Sequence, residues 1–205
     1  MLAGIGVGAH SWVVRRRATC PLGYGVATPA QHDAARLAFS KQHGSHTLAR
    51  ARPALGWAFD VTTRSELEAW VERHHVTCTT RPNRDLECTH VPLDALPERW
   101  TPLAVSALWL GFGKNDTLDH VTAFRATADA ARAADALQAL GSLLDEAGSK
   151  SASTGRPTAA WLSHGLLAQS RAEYSFSTYW ACLTATQMAA DRYEVIDEYR
   201  SLASP

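Results

Sequence analysis

The sequence predicts an α+β fold: an antiparallel sheet built from hairpins, with two main helices packed on one face, in a ferredoxin-like or similar two-layer sandwich. Three observations carry that expectation. Short runs of alternating apolar and polar residues are separated by Pro, Gly, Asn and Asp, which is the pattern of strands joined by turns. Two amphipathic stretches with helix-start signals lie between those runs. The chain is also 46% hydrophobic and holds seven Trp, enough apolar surface to offset the entropy of ordering a core.

Residues 1–19 read as a short apolar and basic leader, or as the stub of an anchor. MLAGIGVGAHSWVV runs directly into Arg15, Arg16 and Arg17. It falls short of the roughly 20 apolar residues that span a bilayer, and its charges follow the apolar run, whereas a secretory signal places them before it. Cys20 follows Arg17-Ala18-Thr19, and the Arg spoils a lipoprotein-type pattern. Residues 20–54 read as a weakly structured linker with one short helix. Thr28-Pro29-Ala30-Gln31 supplies its cap, first-turn proline and third-position Gln, and it ends near Gly44. Residues 55–205 form a single globular domain.

Within that domain, residues 55–61 read as a short strand. Thr63-Arg64-Ser65-Glu66 is a capping box opening a helix with Leu67, Trp70, Val71 and His74 on one face. Strands follow at 76–80 and 86–91, joined by the turn residues Arg81-Pro82-Asn83-Arg84-Asp85. Pro92, Pro97 and Pro102 then keep the chain irregular. A second hairpin pairs 105–111 with 118–127 around Gly113-Lys114-Asn115-Asp116. Thr127 is the expected cap of the longest helix, 128–147, and Gly148 its stop. Residues 149–157 read as an exposed loop and 158–168 as a short helical segment. Two strands close the chain. The first places Ala172, Tyr174, Phe176, Thr178, Trp180 and Cys182 on one face; the last, 193–202, carries Glu194, Glu198 and Arg200 and is expected at a sheet edge. Both halves contain a helix and a hairpin, an order that hints at duplication without any repeat at the residue level.

The most specific pair is Cys78 and Cys88, five residues either side of Asn83 and therefore facing each other across the first hairpin. Cross-strand partners at a non-hydrogen-bonded position are close enough for a disulfide. Two unpaired thiols, or a metal site drawing on His75, Cys78, Cys88 and His90, are the alternatives, although the spacings match no zinc signature well. No cofactor fingerprint is present: Gly111-Phe112-Gly113-Lys114 lacks the rest of a phosphate loop and leads into a strand. No nucleophile elbow accompanies Ser163 and His164. The weak catalytic candidates are His120, His164 and Glu173, which would have to converge between sheet and helix to act.

These features favour a non-catalytic exported or envelope-associated binding or structural domain, with a protein or small-molecule ligand. The alternative is a hydrolase-like enzyme assembled from separated residues. Reduced Cys78 and Cys88 would instead place the chain in the cytoplasm, because persistent disulfides belong to oxidising compartments. The formal net charge of zero argues against a nucleic-acid partner. That zero is split, however. Residues 1–56 hold seven basic groups against the single acid Asp33, and the remainder holds 13 basic and 19 acidic groups. A basic arm led by Arg15, Arg16 and Arg17 is suited to an anionic membrane surface or to the acidic body itself.

Overall fold

Local signals place most elements where the residues predict them. The computed structural model describes residues 29–48, 55–98, 101, 103–113, 115–145 and 150–202. The leader, Cys20 and the Arg15–Arg17 cluster lie outside these residues. Four helices and eight strands are found among the described residues: α1 (Pro29–His43), α2 (Arg64–Arg73), β1 (Thr77–Thr80), β2 (Leu86–Val91), β3 (Val105–Phe112), β4 (Leu118–Thr127), α3 (Ala130–Asp145), β5 (Lys150–Thr154), α4 (Ala159–Leu162), β6 (Gln169–Ser175), β7 (Tyr179–Ala189) and β8 (Arg192–Ser201). The capping box of α2 is formed as expected: the Thr63 hydroxyl accepts from the Glu66 amide, and the Thr63 amide donates to Glu66 Oε2 at 2.7 Å.

All strands join one antiparallel sheet in the order β1-β2-β3-β4-β8-β7-β6-β5. Each half is a helix followed by a four-stranded meander, and the last strand of each half meets the other at the centre. The sheet is large and open, more extended than a ferredoxin-like sandwich. One face carries the main core. Its rows run Leu86, Leu110, Val121, Tyr199, Ala181 and Tyr174 across six strands. Leu67 and Trp70 of α2 join this core, as do Ala133, Leu137, Leu140 and Leu144 of α3. Each fully buried leucine contributes about 1.5–3 kcal/mol, so the α3 stripe anchors that helix firmly. Gly141 lets α3 approach β6 closely, since a Cβ there would stand 3.2 Å from the Tyr174 hydroxyl.

The opposite face is more polar. A row across it reads Trp109, Thr122, Glu198, Cys182 and Glu173; the next reads Gly111, His120, Arg200, Trp180 and Ser175. Helix α1 crosses this face, setting Phe39 edge-on against Trp180 at 5.3 Å and donating from the Ser40 hydroxyl to the Leu202 carbonyl.

Several expectations are corrected. Residues 55–61 alternate like a strand but form turns, because Leu55, Gly56 and Asp60 all adopt positive φ. Residues 150–154 of the expected loop form β5, paired with β6. The stretch 172–182 is two strands separated by a turn at 176–178, and the inward parity changes from Tyr174 to Tyr179 and Ala181. The last strand, β8, lies at the centre of the sheet. The cap of α3 is Asp129, whose carboxylate accepts from the amides of Ala131 and Arg132, in place of Thr127. Only 159–162 of the expected segment 158–168 is helical, with Thr158 as its cap.

Candidate functional site

The first hairpin brings Cys78 and Cys88 together as direct partners. Their Cα atoms are 4.0 Å apart and their sulfurs 2.04 Å apart, which is bonding distance. Cys88 is fully buried, so the pair ties the short strand β1 to the edge of the core. His75 and His90 flank this hairpin with positive φ and exposed side chains. With both thiols directed at each other, these imidazoles have no sulfur to share a cation with. Among the described residues, no cluster of three or more His, Cys, Asp or Glu is arranged to hold a metal ion.

The three acid–base candidates occupy separate places. His120 is on β4, on the polar face, and its ring lies over Gly111: a Cβ at that glycine would stand 1.7 Å from the imidazole. Its Nε2 is 3.6 Å from Oδ2 of Asp85 in the β1–β2 turn. Burial raises the Asp85 carboxyl above its ordinary pKa, opposed by hydrogen bonds from Asn83 and the Phe112 amide. Glu173 is on the same face but on β6, with β8 and β7 between; three strand spacings put it roughly 14 Å from β4. It accepts two hydrogen bonds from Arg171, at 3.0 and 2.7 Å. His164 is exposed in the turn after α4, stacked on Trp161 with ring centroids 6.4 Å apart. The fold therefore sets His120 beside Asp85 and does not bring His164 or Glu173 to them.

Three polar groupings lie beyond what the sequence singled out. Arg36 of α1 is buried and reaches Asp119 Oδ1 at 3.1 Å and Asp60 Oδ1 at 3.5 Å; Asp60 in turn accepts from the Ser201 hydroxyl. One cation of the basic arm is thus bound by the acidic body. In the main core, Arg125 of β4 pairs with Asp197 of β8, both fully enclosed, with Tyr199 alongside. Burial lowers the Arg125 pKa to about 10 and raises that of Tyr199 well above its usual value. The guanidinium of Arg81 lies over Trp109 at 4.2 Å and bonds Glu87 at 2.8 Å, placing an aromatic and two charges together on the polar face.

The remaining features are chemically quiet. Cys182 is buried on the polar face, and burial pushes its thiol up to about 12, so it carries little thiolate at neutral pH. An open, mostly apolar groove of about 480 Å³ lies between β2 and β3, lined by His90, Leu93, Val105, Ser106 and Ala126. No acid–base pair faces into it among these residues. No described helix is long and apolar enough to cross a membrane. Compared with protein-family models, curated proteins and solved structures, the chain matches none of them.

The sequence signalled the turn that Asp85 closes and gave no signal that β4 returns alongside it. Arg36–Asp119 and Arg125–Asp197 had none, because each joins residues far apart in the chain.

Proposed function

We propose that the chain is a non-catalytic binding or structural domain of the cell envelope or an exported compartment, held near an anionic surface by its basic N-terminal segment. The observation that carries this reading is the Cys78–Cys88 pair at bonding distance, since such a bond persists in an oxidising compartment. The dispersal of His120, His164 and Glu173 over separate parts of the fold supports a binding role over a catalytic one. Arg36 sharpens the electrostatic part. It is engaged by Asp60 and Asp119, so α1 holds to the body and the surface contact falls to Arg15, Arg16 and Arg17.

Vesicle co-sedimentation tests the reading. The full chain should sediment with phosphatidylglycerol-containing vesicles and not with pure phosphatidylcholine. Binding should fall with added salt, and the triple variant Arg15→Ala/Arg16→Ala/Arg17→Ala should lose it while keeping its thermal transition. Undiminished binding by that variant contradicts the tether. A hydrolase-like role is the second reading, and the His120–Asp85 approach is what favours it. Turnover of a nitrophenyl ester that disappears in His120→Ala would establish it in place of the first.

A further inference from the structure

Helix α1 is held differently from the other helices. α2, α3 and α4 bury leucines in the main core, whereas α1 lies on the polar face. Ala34, Leu37 and Ala38 are exposed, and the only buried side chain among its described residues is a cation, Arg36. The Arg36 guanidinium is seated over Gly113, where a Cβ would stand 3.0 Å from Nη1, and is shared by Asp119 of β4 and Asp60 of the turns before α2. Apolar contact with the sheet comes from Phe39, packed on the small cluster of Trp180, Cys182 and Leu202. A helix of 15 residues is marginal by itself in water, so α1 depends on these few contacts. Just past it, the Ser45 amide donates to the Phe176 carbonyl and the Ser177 amide to the Thr47 carbonyl, so the chain stays anchored there when the helix lifts.

The last turn of α1 carries a titratable group. His43 is half-buried, its ring centroid 4.4 Å from that of Phe39 and 5.4 Å from that of Trp180. β6 brings Arg171 and Glu173 to it and β8 brings Arg200; β7 presents Trp180 and the neutral Cys182 thiol, and Lys41 shares its turn. Glu173, the one carboxylate among these groups, already accepts two hydrogen bonds from Arg171, and Arg200 is bonded to Glu198. An imidazolium there adds a cation beside two guanidiniums. Burial is the largest cause holding the His43 pKa below its ordinary 6.5. The lifted helix therefore binds the proton more tightly than the closed one, and opening becomes easier as pH falls below that value.

From this geometry we propose that α1 is a releasable strap, latched by Arg36 at its middle and loosened when His43 gains a proton beside Arg171 and Arg200, while the rest of the fold stays intact. Opening bares Trp180 and Leu202 and parts the Asp60 and Asp119 carboxylates from their cation. A polar face covered at neutral pH is thus offered in acid. The strap does not depend on the vesicle-binding reading: its opening is read in protein without vesicles, so either can fail alone.

Hydrogen exchange of the full chain, read by mass spectrometry at about pH 7.5 and about pH 5 and corrected for the intrinsic acid dependence of exchange, tests it. Amides 33–43 should exchange several-fold faster at the lower pH, within the limit of about tenfold per pH unit that one proton sets. Those of α3 should keep their protection, which marks the opening as local. His43→Gln should remove the acid response, and Arg36→Met should exchange fast over 33–43 at both pH values with α3 still protected. Equal protection of α1 at the two pH values overturns the proposal, as does an acid response that survives in His43→Gln. Slow exchange over 33–43 in Arg36→Met at neutral pH also overturns it, as does loss of protection in α3 together with α1 in the natural chain.

Discussion

Reduction of the Cys78–Cys88 pair is the perturbation whose size is easiest to work from the structure. The two residues are separated by ten positions, so the bond closes a small loop in the unfolded chain. Chain-entropy reasoning gives a loss of about 9 cal/mol/K for a loop of that length, or about 2.7 kcal/mol at 25 °C. For a chain of this size that corresponds to a fall in Tm of about 5–11 °C. Differential scanning calorimetry of the full chain with and without a phosphine reductant reads the shift directly. The comparison within the natural sequence is cleaner than substitution, because Cys88 is fully buried and Cys88→Ala would also remove packed volume. The variant Cys78→Ala/Cys88→Ala serves as the control and should be indifferent to reductant. A wild-type shift below about 2 °C, or an equal shift in the variant, would refute the argument that this bond constrains the unfolded chain.

Two further outcomes follow from a buried ion pair and a half-buried histidine. Arg125→Met leaves Asp197 charged and enclosed without its cation, and urea denaturation should show a loss of about 3–5 kcal/mol; the double variant Arg125→Met/Asp197→Leu should recover most of it. His43 of α1 is held below its usual pKa of 6.5, first by burial and then by Arg171 and Arg200 acting against Glu173. Below pH 6.5 the unfolded chain therefore binds more protons than the folded one, so stability is present above that pH and declines beneath it. His43→Gln should flatten the stability profile in that acid window, and an unchanged slope would place the titration elsewhere.

What was legible in the sequence was local. Thr63 and Glu66 cap the same helix turn they predict, and Cys78 and Cys88 pair across a hairpin whose turn residues and alternation lie within one short segment. The expected fold class followed, because hairpins joined in sequence make an antiparallel sheet. The misreadings occur where tertiary pairing overrides pattern. Leu55, Trp57 and Phe59 alternate, yet left-handed residues break the strand and turn the chain under the core. Lys150–Thr154 has no large apolar residue, and its strand exists because β6 offers a backbone partner. Glu194, Glu198 and Arg200 look like edge-guarding charges, but they lie on the polar face of a central strand, where Arg200 bonds Glu198 at 2.7 Å. Their opposite face carries Val195, Asp197 and Tyr199, and only the pairing of β4 with β8 reveals it. The site was harder still. His120 was visible as a candidate, while its neighbour Asp85 is set by the return of β4 alongside the turn that Asp85 closes.

The most direct test of the central claim is the redox state of the hairpin cysteines in protein taken from the cell that makes it, with thiols blocked at lysis and peptides read by mass spectrometry. Cys182, buried and weakly acidic, serves as the internal control that reacts only after unfolding. An exported or envelope domain requires Cys78 and Cys88 to escape the blocking agent until a reductant is added after denaturation. If both instead carry the agent when the protein is unfolded without reductant, the pair is reduced in the cell, and the domain works in the cytoplasm.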